Sequence, residues 1–371
     1  MPTSSRKIGY VLGAGFSFGS LHYAKRGQVK LHMPLQNTLF EEICRFHYKK
    51  IRELDLLAKV IRRYFSPNTS RTTRGKGASR HRDLFGISIE DVLTFFDEIA
   101  TARSGDVDEV SKAAERLQIL TAEYIGYLST NGRPGQNRWL RAFVDRLAET
   151  DVVVSFNWDT CLDQVLFNRK GKKWNPAWGY GRTIRNGLKY GSHSRHETVP
   201  RRYVRLLKLH GSVNWVAGGQ SRAIEKRWFF DSSPAGDVVM IPPKMIKPEI
   251  NGRFESTSPA SDNASEKHGN RALPQGFYRD LWHEAEEQLG NCRRLVFIGY
   301  SFPAADFAVS NLLRRAASHW SRRHGSPPTV DVVDPNCADL AERFHRSFGI
   351  EVPFSNQYLS LESYLGLPRA K

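Results

Sequence analysis

A short apolar strand, Gly9-Tyr10-Val11-Leu12, runs straight into Gly13-Ala14-Gly15-Phe16-Ser17 within the first twenty residues. Glycines let the backbone turn sharply and approach a ligand closely. A helix that follows such a turn aims its free N–H groups at an anion seated there. Strand, glycine-rich turn and helix in this order open Rossmann-like sheets, where the turn meets a dinucleotide pyrophosphate. The third glycine of the usual fingerprint is absent from its place, and Gly19 stands one position late. A glycine-rich turn that holds no ligand has the same form, so the rest of the chain has to decide.

Apolar spacing sorts the remainder into strands and helices. Residues 7–12 read as the first strand. Residues 36–65 carry apolar side chains at helical spacing, among them Leu39, Ile43, Phe46, Leu54, Leu57 and Ile61. Ser88-Ile-Glu-Asp91 has the form of a capping box ahead of Val92, Phe96 and Ile99. Further helices are expected at 107–129 and 138–149. Asp151-Val-Val-Val-Ser155 has the β-branched, apolar character of a strand buried on both faces. Tyr203–His210 and Val238–Ile241 read as two more strands, the second stopped by Pro242-Pro243. The alternation then becomes regular: helix 276–289, strand 294–298, helix 304–318, strand 329–333, helix 338–348. Strands alternating with helices imply parallel pairing. The expected fold is α/β, a Rossmann-like parallel sheet flanked by helices in a single domain over 1–371. Its sheet elements lie at 7–35 and 150–350, with 36–149 as a large helical insert.

Lys and Arg outnumber Asp and Glu by 55 to 38, a net charge of +17. That balance favours a polyanion or an acidic partner and says nothing of the fold. Two loop-like stretches are strongly basic, 66–82 and 181–205. The second carries Arg182, Arg185, Lys189, Arg195, Arg201, Arg202 and Arg205. The four cysteines, Cys44, Cys161, Cys292 and Cys337, stand far apart with no CxxC. No zinc module and no metal are therefore expected. Cys161, Cys292 and Cys337, in or beside apolar elements, read as reduced core thiols of a cytoplasmic protein. No apolar run approaches the roughly 20 residues of a membrane span. The lead into the first strand is too short for a signal peptide.

Five strand ends carry residues suited to chemistry. They are Gly13–Ser17; Ser155-Phe156-Asn157-Trp158-Asp159; Leu209-His210-Gly211-Ser212; Gly299-Tyr300-Ser301-Phe302-Pro303, with Asp306 nearby; and Asp334-Pro335-Asn336. In open parallel sheets ligands bind outside the carboxyl ends of the strands. Each end has a plain alternative. His210 could be a satisfied structural histidine, Asn157 a helix cap, and Asp334-Pro335 or Gly299-Tyr300-Ser301 a simple turn. Together and in this order, the plain alternatives lose ground.

The set resembles the sirtuin superfamily, in which Gly-Ala-Gly-x-Ser, Gln-Asn-x-Asp, His-Gly and Gly-x-Ser follow one another in the chain. Leu209-His-Gly-Ser-Val-Asn-Trp215 and Gly299-Tyr-Ser-Phe-Pro303 look more like the divergent prokaryotic sirtuin-like domains of anti-phage defence proteins that destroy NAD. The chain departs from deacylating sirtuins. The four-cysteine zinc module is missing, Phe156 replaces the Gln, and the helical insert stands where a short connection is usual.

The resemblance implies an NAD glycohydrolase, with NAD as substrate and no metal. Asn157 would orient the ribose and a water, and His210 would act as general base. Asp159 would hold the nicotinamide–ribose end or offset the cationic charge. Gly13, Ala14, Gly15, Phe16 and Ser17 would cradle the phosphates, while Gly299, Ser301 and Asp334 would line the adenosine side. An ungated NADase would kill its host. The resemblance therefore also implies a gate: homo-oligomerisation, or a partner such as a HerA-type ATPase or an Argonaute-like protein. Two other functions stay open, a nucleic-acid-binding protein or nuclease and an NAD-dependent protein deacylase.

Overall fold

A computed structural model describes residues 7–21, 25–26, 29–35, 37–65, 81, 84–102, 107–169, 174–176, 178–181, 200–217, 224–226, 238–240, 277–302 and 307–368. In chain order, β1 (Ile8–Leu12) leads into the short α1 (Ala14–Phe18) and a two-residue antiparallel pair, β2 (Lys25–Arg26) and β3 (Val29–Lys30). Five helices follow: α2 (Leu39–Phe46), α3 (Ile51–Phe65), α4 (Ile89–Ala102), α5 (Val107–Asn131) and α6 (Arg138–Arg146). Then come β4 (Val152–Ser155), α7 (Cys161–Asn168), β5 (Arg205–Lys208), β6 (Gly211–Ala217), β7 (Ile224–Lys226) and β8 (Val238–Met240). The last part is α8 (Phe277–Gly290), β9 (Arg294–Ile298), α9 (Phe307–His324), β10 (Thr329–Val333), α10 (Cys337–Phe348), β11 (Gln357–Tyr358) and α11 (Leu361–Leu365).

Six strands form one parallel sheet in the order β11-β10-β9-β1-β4-β5. Counted along the chain and read from the β5 edge, the order is third, second, first, fourth, fifth, sixth, which is the doubly wound Rossmann arrangement. The chain first builds outward from β1 through β4 to β5, then returns to build the other half from β9. The switch point therefore lies between β1 and β9, where Leu12 is in register with Ile298. β4 is buried along its whole length, as its apolar run requires.

The helical segment between β1 and β4 forms where its periodicity predicts, with α2, α3 and α4 packed along α5. The periodic run 36–65 breaks at His47–Lys50 rather than continuing. There the His47 N–H caps α2 on Ile43 O, and the Lys50 N–H turns back to His47 O at 2.7 Å. His47 Nε2 meets Leu120 O at 2.9 Å and Lys50 pairs with Glu123, so both residues of the break are tied to α5. One apolar core runs from the sheet into this segment. Tyr10 and Phe16 meet Phe143 of α6 edge-on at 5.2 and 5.3 Å.

The strand expected at Tyr203–His210 covers only Arg205–Lys208. The chain turns at Leu209-His210, and Gly211, at φ +76°, opens a second sheet. That sheet is antiparallel in the order β7-β6-β8, and the sequence patterning shows only its β8. Also unforeseen are β2, β3, β11 and α11. Most of the two basic stretches, including Arg182, Arg185, Lys189 and Arg195, lies outside the described residues, as does Asp306.

Candidate functional site

The site begins with two interlocked loops at the switch point. The Gly13 N–H donates to Ile298 O at 3.1 Å, and the Gly15 N–H donates to Gly299 O at 2.9 Å. A Cβ on Gly13 would lie 2.5 Å from Gly299 O, and one on Gly299 would lie 2.3 Å from Phe16 N. Gly299 also sits at φ +58°, where a side chain is strained. Glycine is thus demanded here by backbone against backbone. The Phe16 N–H turns back to Gly13 O at 3.0 Å, so three amides of the loop are engaged within the protein. Ala14 and Gly15 remain exposed on its outer side. With only five residues in α1, the loop ends in a single helical turn rather than a long dipole.

The turn after β4 is fastened to this pair. The Phe156 N–H extends the ladder to Leu12 O at 3.1 Å. Asn157 Nδ2 donates to Gly13 O at 2.8 Å, which leaves Oδ1 as its remaining acceptor. Asn157 does not cap the next helix. The N-cap position is Thr160, which gives no side-chain cap; Asp159 before it accepts the Cys161 N–H on Oδ1 at 2.9 Å, while its Oδ2 accepts from Ser17 Oγ. Asp159 is buried with both carboxylate oxygens occupied, so its place is to lock Ser17 to the start of α7. The thiol of Cys161 is fully buried; burial above all, then the neighbouring Asp159, pushes it well above the ordinary range, so it is no nucleophile.

His210 stands at the corner between β5 and β6, only 4% exposed. Its ring packs on Phe156 at 5.1 Å, Phe156 on Tyr300 at 4.9 Å, and Tyr300 on Phe302 at 4.9 Å. This aromatic row runs beneath the strand ends from β5 to β9. Phe302 has φ +50°, a strained conformation for a bulky residue and one that clusters at functional sites.

The strand ends open on one cleft of about 920 Å³, at the upper end of the usual size for a small-molecule site. Gly13–Ser17, Asn157, Asp159, His210, Gly299, Ser301 and Asp334 line it together. Every sequence-derived site residue is therefore in the same place. Asp334 accepts the Asn336 N–H on Oδ1 at 2.8 Å, and its own N–H donates to Tyr358 O at 2.9 Å.

Two further walls carry no advance signal in the sequence. The helical segment supplies Leu39, Ile89, Ile125 and Trp139. The C-terminal turn supplies Leu359–Glu362, held by the capping box of Ser360 and Ser363. Helical periodicity marks the first group as apolar but not as cleft-facing. A two-residue strand such as β11 leaves no pattern to read.

Behind the turn lies a buried polar network. Lys208 Nζ donates to Asp159 O and pairs with Asp163 Oδ2 at 3.5 Å. Tyr180 OH donates to Asp163 Oδ1 and accepts from Asn214 Nδ2 at 3.2 Å. Burial raises the Asp163 carboxyl above its ordinary range, and the Lys208 charge opposes that rise.

Among the described residues no three His, Cys, Asp or Glu side chains are grouped to hold a metal ion. All four cysteines are buried and outside any disulfide, which does not fit a zinc module. No described helix is long and apolar enough to cross a membrane. No protein-family model matches the chain, and a search of the curated proteins returns no match.

Proposed function

We propose that this protein is a sirtuin-like NAD hydrolase that cleaves the nicotinamide–ribose bond, releasing nicotinamide and ADP-ribose. The observation that carries the reading is the meeting of Asn157 and His210 with the Gly13–Ser17 loop at the switch point of a Rossmann-ordered sheet. Dinucleotides bind at that point in sheets of this order.

Nicotinamide leaves NAD with the electron pair of the broken C–N bond, and positive charge develops on the ribose, as in other glycosyl transfers. Water then bonds to the anomeric carbon and loses a proton. Imidazole, with an ordinary pKa of about 6.5, suits that proton. His210 is the base. Asn157 Oδ1, with Nδ2 already held by Gly13 O, accepts from the ribose or the water. Asp159 acts one step removed, holding Ser17 while its charge faces the developing cation. The exposed Ala14 N–H receives the phosphates, Gly15 leaves room for their close approach, and Gly299, Ser301 and Asp334 flank the adenosine.

Unrestrained hydrolysis of NAD is lethal, so the same reading sets the protein in cytoplasmic anti-phage defence behind a gate. That gate is homo-oligomerisation through the helical segment, or a partner of the HerA-type ATPase or Argonaute-like kind. The test is direct. Purified protein, alone and with candidate partners, is incubated with NAD and the products are separated. ADP-ribose and nicotinamide in equal amounts are expected. Transfer of an acyl group from lysine to ADP-ribose would mark a deacylase instead. Salt-sensitive DNA binding with intact NAD would favour the nucleic-acid reading.

A further inference from the structure

We propose that Lys208 is a positioning residue whose buried ammonium holds the Asn157–Asp159 turn in register with His210. The kinetic part of this assignment rests on the NAD-hydrolysis reading. Lys208 is the last residue of β5, two before His210, and is 1% exposed. Lysine is almost never buried to that degree unless paired. Its partner Asp163 is equally buried, yet a buried ion pair is a weak source of stability, and apolar residues of the same volume often serve as well. What an apolar residue cannot do is donate to the main-chain O of Asp159, as Lys208 Nζ does.

The neighbouring carbonyl is held from the other side of His210. Trp158 O accepts the Val213 N–H at 2.9 Å, with Ser212 Oγ at 3.3 Å. Ser212 Oγ lies 2.6 Å from Asn214 Oδ1, Asn214 Nδ2 reaches Tyr180 OH, and Tyr180 reaches Asp163. A chain of contacts leaves Lys208 and passes through Asp163, Tyr180 and Asn214 to Ser212, whose single hydroxyl proton goes to Asn214 Oδ1; the return to the turn is the N–H of the next residue, Val213, on Trp158 O. Its two ends are the residues two positions before and two after His210. Both carbonyls of the turn that carries Asn157 and Asp159 are thereby referenced to the strand ends that carry the histidine. A displacement of about 1 Å between such groups costs about 10²-fold in rate.

Lys208→Met removes the donor at nearly constant volume but strands Asp163, so that variant alone confuses folding with positioning. Lys208→Met/Asp163→Asn removes both charges. The double variant is expected to recover most of the thermal stability lost by Lys208→Met. Its kcat for NAD should still be about 10²-fold low with KM little changed. Amide exchange over residues 157–161 should be faster than in wild type, with exchange in β1 and β9 unaltered. A stable double variant with wild-type kcat and wild-type exchange at 157–161 would overturn the assignment and leave Lys208 as a counter-charge only. Tyr180→Phe, which breaks the chain of contacts at another point, is the second probe. It should show the same faster exchange and a smaller kcat loss, and wild-type behaviour in both would also overturn the proposal. The exchange measurement needs no NAD. If the wild-type chain leaves NAD intact, the hydrolase reading fails while exchange still decides the role of Lys208.

Discussion

The cleft has two unlike sides. On one, the ends of five parallel strands present Asn157, Asp159, His210 and Asp334 on loops fixed by backbone contact, with Gly13 and Gly299 too close for any Cβ. On the other, Leu39, Ile89, Ile125 and Trp139 come from four separate helices and offer apolar surface. The strand side owes its geometry to the sheet register and hydrogen bonds, which admit few alternatives. The helical side owes its geometry to side-chain packing, which tolerates exchange of similar shapes. The polar residues of the cleft stand where position is over-determined, and its apolar wall where position is adjustable.

Substitutions on the two sides should separate them. The largest effect is expected for His210→Ala and Asn157→Ala. Once the wild-type chain is seen to consume NAD, each should lower that rate by about 10²–10⁴-fold or more while the far-ultraviolet circular-dichroism spectrum still reports the native fold. Full NAD consumption by either variant would refute the assignment. Gly299→Ala comes next and acts on folding. Its Cβ meets Phe16 N at 2.3 Å and its φ is +58°. Strain and overpacking together should cost about 2–6 kcal/mol, read from the urea midpoint. Ile125→Val, on the helical wall, should cost only about 0.5–1.5 kcal/mol in the same titration, and lower NAD turnover far less than His210→Ala. Smallest is Lys59→Ala, which removes an exposed ion pair with Glu109 at 2.6 Å on the outer face of the helices. A loss of more than about 1 kcal/mol there would contradict the view that the helical side acts through its buried wall.

The same division explains what could be read from the residues alone. Val152-Val153-Val154 and Arg294–Ile298 are runs that only a doubly buried strand accommodates, and their boundaries fall where expected. The five special strand ends were legible because a parallel sheet places all its carboxyl ends on one edge. The role of Asp159 was not legible. It depends on Ser17, 142 residues away, and on the register of β1 with β4. Nor was Lys208, which in sequence is, like Arg205, a charged residue at one end of a four-residue strand. Leu39, Ile89 and Ile125 reach the cleft only after helix packing has chosen which flank of each apolar stripe faces the sheet. The net charge of +17 found no structural counterpart, since most of the excess positive charge falls outside the described residues.

His210 belongs to neither sheet. It rides on the corner between β5, fixed in the parallel array, and β6, whose Val213 clusters with Trp158, Met240 and Ala122 of α5. Val213 also holds Trp158 O of the turn that carries Asn157, and Asn157 is in turn bonded to Gly13 O. A shift of the antiparallel ribbon would therefore carry the histidine and that turn together. The corner is tied to both sheets, and its position is a joint property of the two.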